Sequence, residues 1–120
     1  MECIFCKIVN NEIPSYTVYE DDIVKAFLDV NPHSNGHTLI IPKKHFKDLD
    51  DIDSETLNHI MKVAKDIKKE LENKLNPTGI ILTQNNGSVQ EVKHYHLHII
   101  PVYENNNLDN VEDVYKKIKY

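Results

Sequence analysis

The run His94-Tyr95-His96-Leu97-His98-Ile99-Ile100-Pro101 constrains this chain more than any other segment. Histidine alternates with Tyr95, Leu97 and Ile99, bulky residues that suit a β-strand, and Pro101 can end it. Successive strand side chains point to opposite faces. His94, His96 and His98 therefore share one face, about 7 Å apart, and Tyr95, Leu97 and Ile99 share the other. The second face is core material. The first is not, because each buried imidazole needs its own hydrogen-bond partners, so the row marks a site. Two chemistries suit it. Two or three rings can bind one metal ion, or one ring can act as a nucleophile and another as an acid or base.

Length and charge narrow the setting. The 120 residues suit a single domain, 1–120, and a chain of this size buries roughly two-thirds of its unfolded surface. A formal net charge of −5 argues against nucleic acid as a partner, which asks for a concentrated basic surface. A small anionic ligand needs only local donors. No apolar run approaches the roughly 20 residues that span a bilayer, so no membrane partner is expected. Met1-Glu2-Cys3-Ile4-Phe5-Cys6 lacks the basic start and long apolar stretch of a secretion signal. This points to the cytoplasm, where Cys3 and Cys6 are not expected to form a structural disulfide.

The other segments supply a framework. Cys3-x-x-Cys6 reads as two ordinary thiols, as a redox pair, or as half of a zinc site whose other ligands lie elsewhere; a redox pair would normally follow a strand, and none precedes it. Residues 17–20 and 23–29 read as a hairpin about an Asp21-Asp22 turn, with Phe27 and Asp29 on one face and Ala26 and Leu28 on the other. His37 opens a strand over 37–42, and His45 follows its end, placed for a metal ligand although a lone His there is more often at the surface. Residues 53–75 make one amphipathic helix, capped by Asp53 or Ser54, with Leu57, Ile60, Met61, Ala64, Ile67, Leu71 and Leu75 as its buried stripe. His59 falls off that stripe and reads as solvated, and Asn76-Pro77-Thr78-Gly79 stops the helix. Residues 80–84 read as a mostly buried strand. Asn85-Asn86-Gly87-Ser88 is a tight turn able to adopt φ > 0 and present N–H groups to an anion. Residues 111–118 look like a short charged helix. The expected class is α+β: an antiparallel five-stranded sheet with one long helix and a short C-terminal helix.

These segments together resemble the histidine triad family, and its Hint-like, zinc-bearing branch in particular. His94-Tyr95-His96-Leu97-His98-Ile99-Ile100 matches the family's His-φ-His-φ-His-φ-φ signature with Tyr counted as apolar. Cys3-Ile4-Phe5-Cys6-Lys7-Ile8, Ala26-Phe27-Leu28-Asp29-Val30, Gly36 through His45 and Asn85-Asn86-Gly87 also look like family segments, in the family's order. The resemblance implies a homodimeric nucleotide hydrolase or transferase acting at the α-phosphate of purine nucleotides, phosphoramidates and related adenylates above all. His96 takes the place of the nucleophile and His98 that of a phosphate ligand able to protonate the leaving group. His37 matches a supporting histidine and Asp29 the ribose-binding carboxylate. Asn85 or Asn86, Gly87 and Gln90 match the phosphate loop. Cys3, Cys6, His45 and His94 match the ligands of a structural Zn2+. The alternatives are a zinc-stabilised nucleotide-binding scaffold dimer, a diadenosine polyphosphate hydrolase, and a catalytic ion held by the three histidines.

One departure stands out. Many relatives carry a longer Gly-Gln-Ser stretch ahead of the triad; here it is Ser88-Val89-Gln90-Glu91-Val92-Lys93, with Glu91 where the family has Ser. A carboxylate repels a phosphate. This predicts that Glu91 turns away and that Lys93 or Ser88 compensates.

Overall fold

The computed structural model describes residues 3–119. Met1 and Glu2, which open the stretch read for a secretion signal, and Tyr120 lie outside them. The five strands β1 (Thr17–Glu20), β2 (Val24–Leu28), β3 (Thr38–Pro42), β4 (Gly79–Thr83) and β5 (Leu97–Val102) form one antiparallel sheet in the order β1-β2-β3-β5-β4. With α2 (Ser54–Leu75) and α3 (Val111–Lys119) this is the expected α+β class. A further helix, α1 (Ile4–Val9), holds Cys6 and is capped by Cys3.

Alternation along each strand sorts the core into two layers. Val24, Ala26, Leu28, Ile40, Leu97 and Ile99 pack on one face against Ile60, Val63, Ala64, Ile67 and Leu71 of α2 and Val114 and Ile118 of α3. Phe27, Leu39 and Ile41 pack on the other against Phe5 and Ile8, which α1 turns inward. Tyr95 belongs to the α2 layer with Leu97 and Ile99, as the period-two pattern requires. Lys25 faces the α1 layer and is almost fully buried. Its ammonium donates to the Ile8 carbonyl and to Asn11 Oδ1, both at 3.0 Å, and so fastens the end of α1 to the sheet.

The helix α2 begins where Asp53 accepts from the Thr56 amide and ends at Asn76, whose φ of 52° is the left-handed cap. Its stripe differs from the expected one at a single pair. Met61 is exposed and Val63 is buried, because Val63 lies three residues after Ile60 and four before Ile67, inside the apolar arc. His59 is not solvated: it is half-buried and its Nε2 meets Asp21 Oδ2 at 2.7 Å. Asp21 also accepts from the Ile23 and Val24 amides and the Tyr19 hydroxyl, so the hairpin turn and α2 meet on one carboxylate.

Two strands depart from expectation. β4 is one edge of the sheet, with Ile81 51% and Leu82 41% exposed. An apolar run signals a strand but does not tell a central position from an edge. β5 begins at Leu97, not at His94. The β3 ladder reaches only Leu97, opposite Ile40. Further on, Pro42 has no amide to donate, its carbonyl takes the His94 ring, and the Tyr95 amide goes to the Phe46 carbonyl.

Gly36 precedes β3 with φ +90°, pressed under the end of α2. A Cβ built there would stand 2.6 Å from Leu75 Cδ1 and 3.3 Å from Leu71 Cδ2 and Pro101 Cγ.

Candidate active site and metal centre

Strand register builds the floor of the site. Phe27, Leu39, His98 and Thr83 face one another in turn across β2, β3, β5 and β4. The row is apolar at its β2 end and polar at its β4 end, and the cleft above it follows suit. An apolar arm of about 270 Å³ is walled by Ile4, Phe5 and Ile8 of α1 with Phe27, Leu39 and Val92. A polar arm of about 320 Å³ adds His33, His37, Thr83, Asn85 and Ile100. The arms meet at Asp29, Asn31, Glu91, His96 and His98, which line both.

Hydrogen bonds fix the state of each ring. His96 Nδ1 lies 2.8 Å from the His94 carbonyl, which can only accept, so the proton sits on Nδ1 and Nε2 keeps its lone pair. Phe5 meets the His96 ring edge-on at 5.0 Å, which sets its plane. His37 Nδ1 accepts from the His33 amide at 3.0 Å, so its proton sits on Nε2, 2.9 Å from His98 Nδ1. His98 therefore accepts at Nδ1 and carries its own proton on Nε2. Burial pushes His98 down to about 4; His96 and His37 add to the shift and Asp29 opposes it. Burial also lowers His37, again against Asp29, whose Oδ2 is 3.7 Å from His37 Nε2. Both rings are neutral at pH 7. The arrangement offers one basic nitrogen, at His96, beside one neutral N–H donor, at His98.

A second constellation lies behind the triad. Cys3, which caps α1, and Cys6 present sulfur to His94 Nδ1 at 3.5 and 3.6 Å; His45 Nδ1 is 3.2 Å from Cys6 Sγ and 3.1 Å from His94 Nδ1. Around a tetrahedral zinc, the usual bond lengths put sulfur and nitrogen about 3.6 Å apart and two nitrogens about 3.3 Å apart. The donor set and its spacing fit that ion. His94 Nε2 donates to the Pro42 carbonyl at 2.8 Å, which leaves Nδ1 bare for a metal and orients the ring. The Cys6 thiol is pushed up to about 11, first by burial and then by Cys3. The ligating atoms of Asp29, His37 and His98 also cluster. They do not suit a cation, because the His33 amide holds the His37 proton on the very nitrogen a metal would need. The reading of three triad histidines on one catalytic ion also fails, since His94 belongs to the cysteine cluster and His96 and His98 to the cleft.

Of the remaining expected residues, Asp29 and Asn85 line the cleft and three others do not. Asn86 exchanges hydrogen bonds with Gln84 and accepts from the Leu49 amide, tying two loops together. Gly87 adopts φ 69° as expected, but its carbonyl is taken by the Gln90 amide and Lys93. Gln90 is buried, with Nε2 on the Lys47 carbonyl and Oε1 without a partner among the described residues. Glu91 does not turn away: it lines both arms, and neither Lys93 nor Ser88 does. His33, Asn31 and Thr83 are lining residues that no motif flagged. Only the cross-strand register reveals Thr83, and the His33 contribution to His37 is a backbone amide, which no residue type announces.

Known proteins place this geometry. The HIT domain family model matches residues 10–105. An uncharacterized HIT-like protein of Methanocaldococcus jannaschii is 47% identical, covering 98% of each chain. The adenosine 5'-monophosphoramidase HNT1 of Saccharomyces cerevisiae is 46% identical over 82% of this chain and 61% of its own. The crystal structure of a Zn-bound histidine triad family protein from Mycobacterium smegmatis superimposes with a TM-score of 0.90 at 32% identity, over 99% of this chain and 91% of that one. With sequence, fold and the histidine row in agreement, the chain belongs to the HIT, or histidine triad, family.

Proposed function

We propose that this protein hydrolyses purine nucleoside phosphoramidates and related adenylates through a nucleotidyl intermediate on His96. The observation that carries this reading is the His96 ring: its Nδ1 proton is committed to the His94 carbonyl and its free Nε2 sits where the two arms join. The apolar arm accepts the purine, between Ile4, Phe5 and Ile8 on one side and Leu39 on the other. Asp29, at the junction, accepts from the ribose hydroxyls. The phosphoryl group lies over His96 and His98, with Asn85 as a further donor.

The chemistry divides one displacement into two. His96 Nε2 attacks phosphorus and the P–N bond breaks, its electron pair leaving with the amine. Water then attacks phosphorus and the P–His96 bond breaks. One water is consumed overall: the amine takes a proton from solvent as the P–N bond breaks, and a proton returns to solvent when the attacking water leaves its hydroxyl on phosphorus. His98, neutral in the free protein, acts as a hydrogen-bond donor through Nε2–H to the phosphoryl oxygen and the bridging nitrogen, where charge develops. His37 holds that donor in its tautomer.

Zinc on Cys3, Cys6, His45 and His94 would be structural, tying α1 to the segment that carries the triad. Thiolate ligands require a reducing compartment, which favours the cytoplasm. The exposed apolar edge of β4 supports a homodimer formed by strand addition. No helix among the described residues is long and apolar enough to cross a membrane. Stopped-flow mixing with a fluorogenic AMP phosphoramidate tests the reading. A burst should accompany acid-labile AMP on His96, and His96→Asn should lose at least about a thousandfold in kcat, as nucleophile removal does elsewhere, while still binding AMP. A near-normal rate in His96→Asn would overturn it.

A further inference from the structure

Glu91 is a carboxylate of the cleft that works against a phosphate ligand, and its buried neighbours set its placement. Gln90 before it is buried, with its amide on the Gly87 carbonyl and its side chain on the Lys47 carbonyl. Val92 after it packs against the Phe5, Phe27 and Leu39 layer. With both neighbours turned inward, the side chain between them faces out over the site. Its carboxylate has no hydrogen bond or ion pair with any described residue.

No lysine or arginine among the described residues lines the cleft around it, although the chain has 14 of them. His37 and His98 are neutral. Two carboxylates, Asp29 and Glu91, are thus the fixed charges at the junction. Asp29 is partly engaged, accepting from the Asn31 amide and lying near His37. A carboxylate kept unpaired beside a phosphoryl site penalises every substrate unless the substrate brings a cation of its own.

We propose that Glu91 selects substrates by the charge on the leaving group, favouring amines that carry a second, cationic group and rejecting anionic ones such as polyphosphates or acidic amines. The polar arm, with His33, Thr83, Asn85 and Ile100 beyond the histidines, receives that group. This rests on the hydrolase reading for its kinetic arm only. Glu91 is solvent-exposed, so the water-like end of the Coulomb scale applies, and one charge a few ångströms away changes affinity by roughly three- to fivefold in each direction.

Three AMP phosphoramidates of matched length test the assignment: those of propylamine, 1,3-diaminopropane and β-alanine, whose far ends are neutral, cationic and anionic. Normalised to propylamine, the wild-type kcat/KM should be highest for the diamine and lowest for β-alanine. In Glu91→Gln the diamine-to-β-alanine ratio should fall at least tenfold, and in Glu91→Lys it should invert. The same three Kd values, measured by calorimetry on His96→Asn with and without Glu91→Gln, should show the same loss of ranking. A ratio that survives Glu91→Gln in either assay overturns the proposal. Charge-ranked binding without turnover of any of the three by the wild type would uphold Glu91 and sink the hydrolase reading instead.

Discussion

Gly36 offers the sharpest quantitative test of the packing that supports the site. Replacing it with Ala has three effects. An L-residue at φ +90° costs about 1–2 kcal/mol. A Cβ 2.6 Å from Leu75 Cδ1 forces that side chain to move, and overpacking of this kind costs about 1–3 kcal/mol. The unfolded chain loses freedom, which returns about 0.4–1 kcal/mol. The net loss should be about 2–4 kcal/mol, read from urea unfolding at pH 7 with an unchanged m-value. The contributions separate in a double-mutant cycle. Leu75 is half-buried at the end of α2, so Leu75→Ala removes the clash and leaves the φ strain. In that background Gly36→Ala should cost only about 1 kcal/mol, a coupling of about 1–3 kcal/mol between the two sites. Because His37 follows directly and holds His98, the single variant should also lose turnover, in part recovered by Leu75→Ala. Equal costs in both backgrounds, or a single-mutant cost below about 0.5 kcal/mol, would refute the steric argument. Gly87 is the contrast: its φ is 69° with nothing within 4 Å of a Cβ, so Gly87→Ala should cost the strain alone.

Two further outcomes follow from the site. Stripping metal from the zinc-loaded protein should weaken AMP binding by at least about tenfold, because six-residue α1, which walls the apolar arm, is too short to persist unanchored; calorimetry showing unchanged affinity in protein proven metal-free would count against it. Acid should destabilise the fold in a defined window. His98 binds its proton near pH 4 when folded and near 6.5 when unfolded, and His37 shifts the same way, so between those values the unfolded chain holds more protons. Stability should therefore fall as pH drops from about 6.5 towards 4, by on the order of 1–2 kcal/mol per pH unit, and the slope should shrink in His98→Asn; a flat profile across that window would exclude it.

The fold and the site were legible to different depths. Period-two alternation assigned the two faces of β2 and β5 correctly, because successive strand side chains point to opposite sides. The 3.6-residue period and the Asp53 and Asn76 caps bounded α2 almost to the residue. The edge position of β4 left no such mark, since Ile81 and Leu82 are as apolar as buried strand residues. The true start of β5 depends on Pro42, a residue more than fifty positions away, and on ring-to-carbonyl bonds that no propensity records. The cysteine–histidine cluster was readable as four residues matching a family pattern. That α1 and its N-cap bring in the two cysteines and that α1 also walls the apolar arm was not, because Ile-Phe-Cys-Lys-Ile-Val is too short and too β-branched to announce a helix.

The relay of bonds from His33 to His37 to His98 has a direction. It begins at a peptide amide, which has no proton to give away. No wire from the protein interior can recharge His98 from behind, and the ring trades with its surroundings through one atom alone. Whatever acid a reaction here consumes must come in by the mouth, so the cleft has to stay wet while a substrate is aboard.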